Sequence, residues 1–262
     1  MRASSLPASP ASPVSPNVIA HAAGALPWPF LRRCTVLTAV LLVALVLWDA
    51  GGLDLPLARW MGSAHGFALR SDPALVLWLH EVPRALSMLL LALMLLGVVW
   101  PWGFLRRLVR RDRVQLVASV LGAIAVTTLV KRFSDTSCPW DLAEFGGVAR
   151  YVSHWTWGVL DGGPGHCFPA GHASAALGFV AGWFVLRRAA PSGATGWLLG
   201  ALSVGLLLGW AQQMRGAHYM SHTLWSAWIC WSLGLAVECA VTALRDYRWA
   251  ATQKAAAKLN EV

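Results

Sequence analysis

The chain has 262 residues, of which 57% are apolar and only 13% are charged, and its formal net charge is +9. A soluble domain carries about 25% charged residues, so this composition indicates an integral membrane protein. A positive net charge is also typical of nucleic-acid-binding proteins. Here the placement of the basic residues along the chain, described below, is better explained by membrane topology, and no nucleic-acid partner is expected.

The first thirty residues are rich in Pro, Ser and Ala and lack the periodicity of a folded element. This composition predicts a disordered cytoplasmic tail at 1–30. A cleaved signal peptide is the alternative. It is disfavoured because the first apolar run begins far from the N-terminus and no small-residue cleavage site directly follows it.

Six apolar stretches are long enough, or nearly so, to cross about 30 Å of hydrocarbon as helices. They are Cys34–Ala50, Arg84–Trp100, Val114–Val130, Ala170–Leu186, Gly196–Gln212 and Thr223–Leu244. The predicted fold class is therefore all-α, a polytopic membrane protein with six transmembrane helices in residues 31–248. An outer-face loop region joins the third and fourth spans, and a cytoplasmic C-terminal tail follows at 249–262.

The basic residues give an orientation to these spans. With the N-terminus inside, 14 of the 21 Lys and Arg residues fall on the cytoplasmic side, and the run "RRLVRRDR" at 106–113 alone indicates that side. We therefore predict a bacterial-type inner membrane protein with both termini cytoplasmic. Anionic membrane lipids are the natural partners of this charge.

The histidines show the opposite asymmetry. Seven of the eight fall on the outer side, at positions 65, 80, 154, 166, 172, 218 and 222. Lys131 closes the third span, His172 opens the fourth, and His218 and His222 lie at the turn from the fifth span into the sixth. Antiparallel packing of neighbouring helices would bring these ends together. An ionisable group near the membrane boundary is costly unless it has a partner or a task.

Two histidines beside basic residues favour an anionic substrate whose bond breaks with proton transfer. A phosphate monoester fits, because Lys131 and Arg215 would neutralise its oxygens while one imidazole attacks phosphorus and the other protonates the leaving oxygen. The other outer histidines, at 65, 80, 154 and 166, are interpreted as loop residues.

Three segments carry a resemblance to a known family: "KRFSDTSCP" at 131–139, "PAGH" at 169–172 and "HYMSH" at 218–222. They resemble the ordered motifs K-x6-R-P, P-S-G-H and S-R-x5-H-x3-D of the phosphatidic-acid-phosphatase type 2 superfamily. The resemblance implies a six-span membrane phosphatase that uses no metal. It implies that His172 protonates the leaving group, that His218 is the nucleophile, and that Lys131 and Gly171 contact phosphate.

The match is partial, since five motif positions differ from the family pattern. They are Cys138 for Arg, Ala170 for Ser, Ala211 and Gln212 for Ser-Arg, and His222 for Asp. Arg215 shares a helical face with His218 and would replace a missing arginine. His222 would bond to the ring of His218 as a third catalytic residue, and Asp141 is a possible carboxylate partner.

The cysteines divide into two groups. Cys34, Cys230 and Cys239 fall within apolar spans and are interpreted as small packing residues. Cys138 and Cys167 lie in the outer connection, where an oxidising periplasm favours a disulfide between them, with two free thiols as the alternative. The absence of a C-x-x-C pattern gives no support to a zinc or haem site, so no metal and no cofactor are predicted.

The resulting hypothesis is a membrane lipid phosphatase that acts at the periplasmic face through a phosphohistidine intermediate. Its substrate would be a lipid phosphate or diphosphate such as a polyprenyl diphosphate or phosphatidate. The alternatives are a lipid phosphotransferase with the same covalent half-reaction, a degenerate non-catalytic lipid-binding relative, and a membrane haem or metal carrier. The last is disfavoured because the histidines cluster at helix ends beside basic residues.

Overall fold

The structure is a computed structural model that describes residues 26–156 and 158–260, with the backbone alone for 258–260. Almost all of its regular structure is helical. The α-helices, in chain order, are α1 Trp28–Ala50, α2 Asp54–Met61, α3 Pro73–Val76, α4 Val82–Val99, α5 Arg110–Arg132, α6 Gly171–Leu177, α7 Trp183–Ala189, α8 Pro191–Met214 and α9 Met220–Asn260.

Shorter elements connect these helices. A π-helical turn, Leu77–Glu81, joins α3 to α4, and 3-10 turns cover Gly103–Arg107, Pro139–Asp141, Ala143–Phe145 and Gly178–Gly182. Two antiparallel strands of two residues each, β1 Gly62–Ser63 and β2 Gly66–Phe67, form the only sheet in the described residues.

Within the described residues, five helices are long and apolar enough to cross a membrane. They are Trp28–Ala50, Pro73–Arg107, Arg110–Arg132, Pro191–Met214 and Met220–Ala257. Each contains one of the predicted spans and is longer than it, because the helical backbone continues into polar residues that hydropathy excludes. Most of the side chains on these helices face outward from the bundle, as expected where lipid is the solvent.

The predicted fourth span, Ala170–Leu186, is not a single α-helix. Its residues form α6, the 3-10 turn Gly178–Gly182 and the start of α7. This helical segment is the most enclosed part of the bundle: Leu177, Val180 and Phe184 have no exposed surface. It packs against α5, α8 and α9 and so holds the centre of the fold.

The first and last helices overlap the predicted terminal tails. Of the predicted tail 1–30, residues 1–25 lie outside the described residues, and α1 begins at Trp28. At the other end, α9 continues as helix through the predicted tail 249–262 as far as Asn260. The helices that contain the first and last predicted spans are therefore longer than the predicted membrane domain of 31–248.

A small cap covers the end of the bundle that carries the histidines. Its apolar core brings α2 and β2 together with the 3-10 turn Ala143–Phe145 and with the residue that precedes α9. The buried members are Ala58, Phe67, Leu142, Phe145, Ala149 and Tyr219. Chain segments from three separate connections thus fix the turn between α8 and α9 in place.

A buried polar network occupies the opposite end of the bundle. The guanidinium of Arg188 on α7 donates to Glu238 on α9 at 3.0 Å, and to Asp112 and Gln115 on α5 at 2.9 Å each. Gln115 in turn donates to Glu238 at 2.7 Å. Each of the three guanidinium nitrogens of Arg188 donates a hydrogen bond, so the network joins three helices by charge-assisted hydrogen bonds.

Candidate active site

The structure brings the predicted histidines together at one end of the bundle. His172 is the second residue of α6, His218 lies in the turn between α8 and α9, and His222 lies in the first turn of α9. The ring centroids of His172 and His218 are 6.0 Å apart, and those of His218 and His222 are 5.9 Å apart. The second and third motifs therefore form one site.

The turn that carries His218 depends on Gly216. This residue has a φ of 72°, and a Cβ added to it would lie 2.3 Å from Cδ2 of Phe67. Only glycine combines this left-handed backbone with so close an approach. The chain thereby turns sharply from the end of α8, with the amide of Ala217 donating to the carbonyl of Gln212 at 2.8 Å. His218 then points into the protein and is 2% exposed.

The segment that carries His172 is held on the start of α9. The amide of Ala170 donates to the carbonyl of His222 at 3.1 Å, and the hydroxyl of Ser226 donates to the carbonyl of Ala170 at 3.0 Å. His222 Nδ1 also lies 3.1 Å from the carbonyl oxygen of Cys167, to which a protonated Nδ1 donates. His222 therefore positions the backbone of the second motif. The predicted hydrogen bond from His222 to the ring of His218 is not formed, because Nδ1 is used by Cys167 and Nε2 has no partner among the described residues.

The environment of His218 keeps its ring neutral. Burial lowers the pKa of His218 well below its ordinary value of 6.5, and the positive charge of Lys131 lowers it further. Its Nδ1 lies 3.5 Å from Sγ of Cys167. No carboxylate hydrogen-bonds to this ring within the described residues. A neutral imidazole is the form that acts as a nucleophile.

Lys131 lies between the second motif and the loop before it. Its Nζ donates to the carbonyl of His166 at 2.5 Å. Its stem passes over Gly171, where an added Cβ would be 3.3 Å from Cδ of the lysine. A larger residue in place of Gly171 would therefore press on Lys131. Gly171 therefore leaves room for the stem of Lys131.

Arg215 stands one turn from His218 and is almost fully buried. Its Nη1 donates to Oε1 of Gln212 at 3.1 Å and its Nε donates to the carbonyl of Arg70, also at 3.1 Å. Gln212 occupies the motif position where the family has arginine, and in this chain it holds another arginine instead. Burial lowers the pKa of Arg215, but a guanidinium remains charged at neutral pH.

A cavity of about 390 Å³ opens beside these groups. Lys131, His172, His80 and Arg84 line it, together with mainly apolar residues of α4, α5, α6 and α8. The cavity therefore combines cations with apolar walls.

Asp141 serves a local role. Its carboxylate accepts from the amide of Cys138 at 3.2 Å and from the indole of Trp140 at 3.1 Å, which caps the 3-10 turn Pro139–Asp141. Burial raises its pKa. No hydrogen bond joins it to His218 in the part of the chain that the structure describes, so it does not replace the missing carboxylate by direct contact.

Cys138 and Cys167 are joined by a disulfide that closes a 29-residue separation and ties the first motif to the second. Their sulfurs and a ring nitrogen of His218 all lie within 4.8 Å of one another, an arrangement that metal ligands also adopt. Thiolates are the form of cysteine that binds metal. The two sulfurs are bonded to each other, so they are not available as thiolates.

Replacing both Cys138 and Cys167 with Ser is expected to lower the free energy of unfolding by roughly 3–4 kcal/mol, the chain-entropy value for a loop of this size. The midpoint of thermal unfolding in detergent should fall accordingly, whereas Cys239→Ser, at a free cysteine, should leave it nearly unchanged. Alkylation of the denatured protein without reductant should label three cysteines. Labelling of all five would contradict the bond.

Several residues of this site were missed by the sequence analysis. His80, interpreted there as a loop residue, lies in the π-helical turn with its Nε2 at 2.5 Å from Nε2 of His172. Asp54 caps α9 by accepting from the amide and the hydroxyl of Ser221. The run "HEVPR" at 80–84 concentrates titratable groups at the mouth of an apolar span, which is the signal that would have identified His80 and Arg84.

The apolar helices and the histidine cluster define a membrane protein with a buried, titratable site at one end of its bundle. A family model of the PAP2 superfamily matches residues 112–246, more than half of the chain. The chain therefore belongs to this superfamily, which confirms the resemblance of its three motifs to the phosphatidic-acid-phosphatase type 2 group. Membership indicates a phosphatase-type activity. Neither the curated proteins nor the solved structures give a match.

Proposed function

We propose that this protein is an integral membrane lipid phosphatase that hydrolyses a phosphate monoester or diphosphate head group through a phosphohistidine on His218. The observation that carries the proposal is the pairing of His172 and His218, 6.0 Å apart between ring centroids, with His172 lining a cavity that combines Lys131 with apolar side chains. Lys131 and Arg215 supply positive charge at the same end.

The reaction would proceed in two steps. The neutral ring of His218 attacks phosphorus, and the bond from phosphorus to the leaving oxygen breaks as His172 gives that oxygen a proton. Lys131 and Arg215 stabilise the charge that spreads over the phosphoryl oxygens. Water then attacks the phosphohistidine, with His172 taking a proton from it, and inorganic phosphate leaves. No step needs a metal ion or a cofactor.

The membrane placement follows from the same geometry. The helical segment Gly171–Ala189 would form a sixth crossing beside the five long helices. The dense basic cluster at 106–113 lies at the end of the bundle opposite the histidines, and the positive-inside rule supports a site that faces outward, toward the periplasm of a bacterial-type inner membrane. The lipid chain would stay between helices while its head group reaches the histidines.

Phosphate release by purified protein from a panel of lipid phosphates tests this function. The panel holds a polyprenyl diphosphate, phosphatidate and phosphatidylglycerophosphate. We expect release from at least one of them. Transfer of the phosphoryl group to a second lipid would instead identify the phosphotransferase. Binding of a lipid phosphate without turnover would identify the degenerate lipid-binding relative.

Lys131→Met is expected to lower kcat for that release by about 10²- to 10³-fold, the range measured when one transition-state donor is removed. Met has a similar length and no charge. The matched control is Arg132→Met, because the neighbouring Arg132 is exposed. Equal activity of the two variants would contradict a phosphate-binding role for Lys131.

A further inference from the structure

A chain of hydrogen bonds extends from His172 to the surface. Nε2 of His80 lies 2.5 Å from Nε2 of His172, and Nδ1 of His80 lies 2.9 Å from a carboxylate oxygen of Glu81. The two rings are 4.0 Å apart between centroids. Glu81 is half-exposed, whereas His80 is mostly enclosed. The chain therefore joins a buried ring to a carboxylate that is in contact with water.

The protons on this chain are constrained by its geometry. Two ring nitrogens at hydrogen-bond distance share one proton, and the carboxylate of Glu81 favours a second proton on Nδ1 of His80. In the arrangement that pairs opposite charges, His80 donates from both ring nitrogens, to Glu81 and to His172. His172 accepts at Nε2 and carries its own proton on Nδ1. That Nδ1 is buried and has no hydrogen-bond partner in the described residues, so it is the atom left for a substrate.

We propose that His80, held by Glu81, is a positioning residue that fixes the tautomer of His172 and supplies its proton again during the reaction. The inference rests on the proposed function and adds residues to it. In the first step His172 gives its Nδ1 proton to the leaving oxygen. The proton between the rings moves from His80 to Nε2 of His172, which leaves both rings neutral. In the second step His172 takes a proton from the attacking water at Nδ1 and passes its Nε2 proton back to His80, which restores the starting arrangement.

The charges around His172 explain why the proton is stored one residue away. The groups that face its ring are Lys131, Arg84, Arg215, His80 and His218. Three of them are cations that disfavour a second positive charge on His172. His80 is next to the carboxylate of Glu81, which compensates an imidazolium there. Glu81 thereby separates the stored proton from the cations that bind phosphate.

The test compares two substrates that differ in their need for an acid. The leaving group of an alkyl lipid phosphate is an alkoxide, which needs a proton. The leaving group of 4-nitrophenyl phosphate is a stable phenolate, which needs none. His80→Gln and Glu81→Gln are expected to lower kcat for the lipid phosphate by about 10- to 100-fold, with KM unchanged, and to leave kcat for 4-nitrophenyl phosphate within about threefold. The basic limb of the kcat profile should move to lower pH.

His65→Gln serves as the matched control, because His65 is an exposed histidine at the same end of the bundle. Equal losses on both substrates, or no loss in either variant, would overturn the inference while the proposed function stands. Glu81→Gln keeps the comparison valid if His80→Gln fails to fold, since Glu81 is half-exposed. If the unaltered protein releases phosphate from neither substrate, the proposed function falls and the inference falls with it.

Discussion

Replacing His218 with Asn is expected to abolish phosphate release, with a loss of about 10⁴-fold or more in kcat, because no other group would take over the attack on phosphorus. Asn retains a polar atom near the position of Nδ1 but has no nucleophilic nitrogen. The unaltered protein, quenched in alkali during turnover of a ³²P-labelled lipid phosphate, should carry label on a histidine. The His218→Asn variant should carry none.

His65→Asn provides the comparison for this loss, since it removes an exposed histidine from the same end of the bundle. Its activity and labelling should match those of the unaltered protein. Retention of turnover by His218→Asn, at a level near that of the control, would refute the covalent mechanism.

The same residue gives a pH dependence with a definite sign. Burial and the charge of Lys131 hold the pKa of His218 well below 6.5, so its ring stays unprotonated, and active as a nucleophile, through mildly acidic pH. Removal of the charge in Lys131→Met favours the imidazolium and raises this pKa. The acid limb of kcat/KM should therefore lie at higher pH in Lys131→Met than in Arg132→Met. Ionisation of the substrate affects both variants equally, so it does not contribute to the difference between their acid limbs.

Much of this site was predictable because its residues stand at helix ends. Lys131 ends one apolar stretch and His172 begins the next, so antiparallel helices bring both to one face whatever their detailed packing. These predictions needed only the positions of the spans and the cost of an ionisable group without a partner in a bilayer. The helical face predicted for Arg215 and His218 is not observed, because α8 ends at Met214 and the two residues lie in the turn around Gly216.

The remaining features depend on local geometry that a hydropathy pattern does not contain. The π-helical turn at Leu77–Glu81 places His80 against His172, and nothing in the apolar pattern specifies a wider turn there. Asp141 follows the first motif closely, which suggested a catalytic partner. In the structure the carboxylate of Asp141 instead accepts from the amide of Cys138 and caps the 3-10 turn, a local role that short acidic side chains commonly have.

Arg188 is the largest departure from a sequence-based interpretation. Its position beside Arg187 at the end of an apolar stretch is typical of a topology charge that faces water. The structure buries its side chain to 3% exposure, against Glu238 at 0% and Asp112 at 7%. Two neighbouring arginines thus have different roles, because only one of them lies on the face of α7 that packs against α5 and α9.

Arg188→Met is therefore expected to lower the free energy of unfolding by about 3–5 kcal/mol, since it leaves Glu238 buried without its cation and leaves Asp112 with Arg245, at 3.3 Å, as its remaining close partner. The midpoint of thermal unfolding in detergent should fall by on the order of 10 °C. Arg187→Met is the control, because Arg187 is exposed, and it should change the midpoint little. Arg188→Lys should lie between them, because an ammonium keeps the charge but cannot form the three-way fork. A midpoint for Arg188→Met equal to that of Arg187→Met would show that the network contributes no stability.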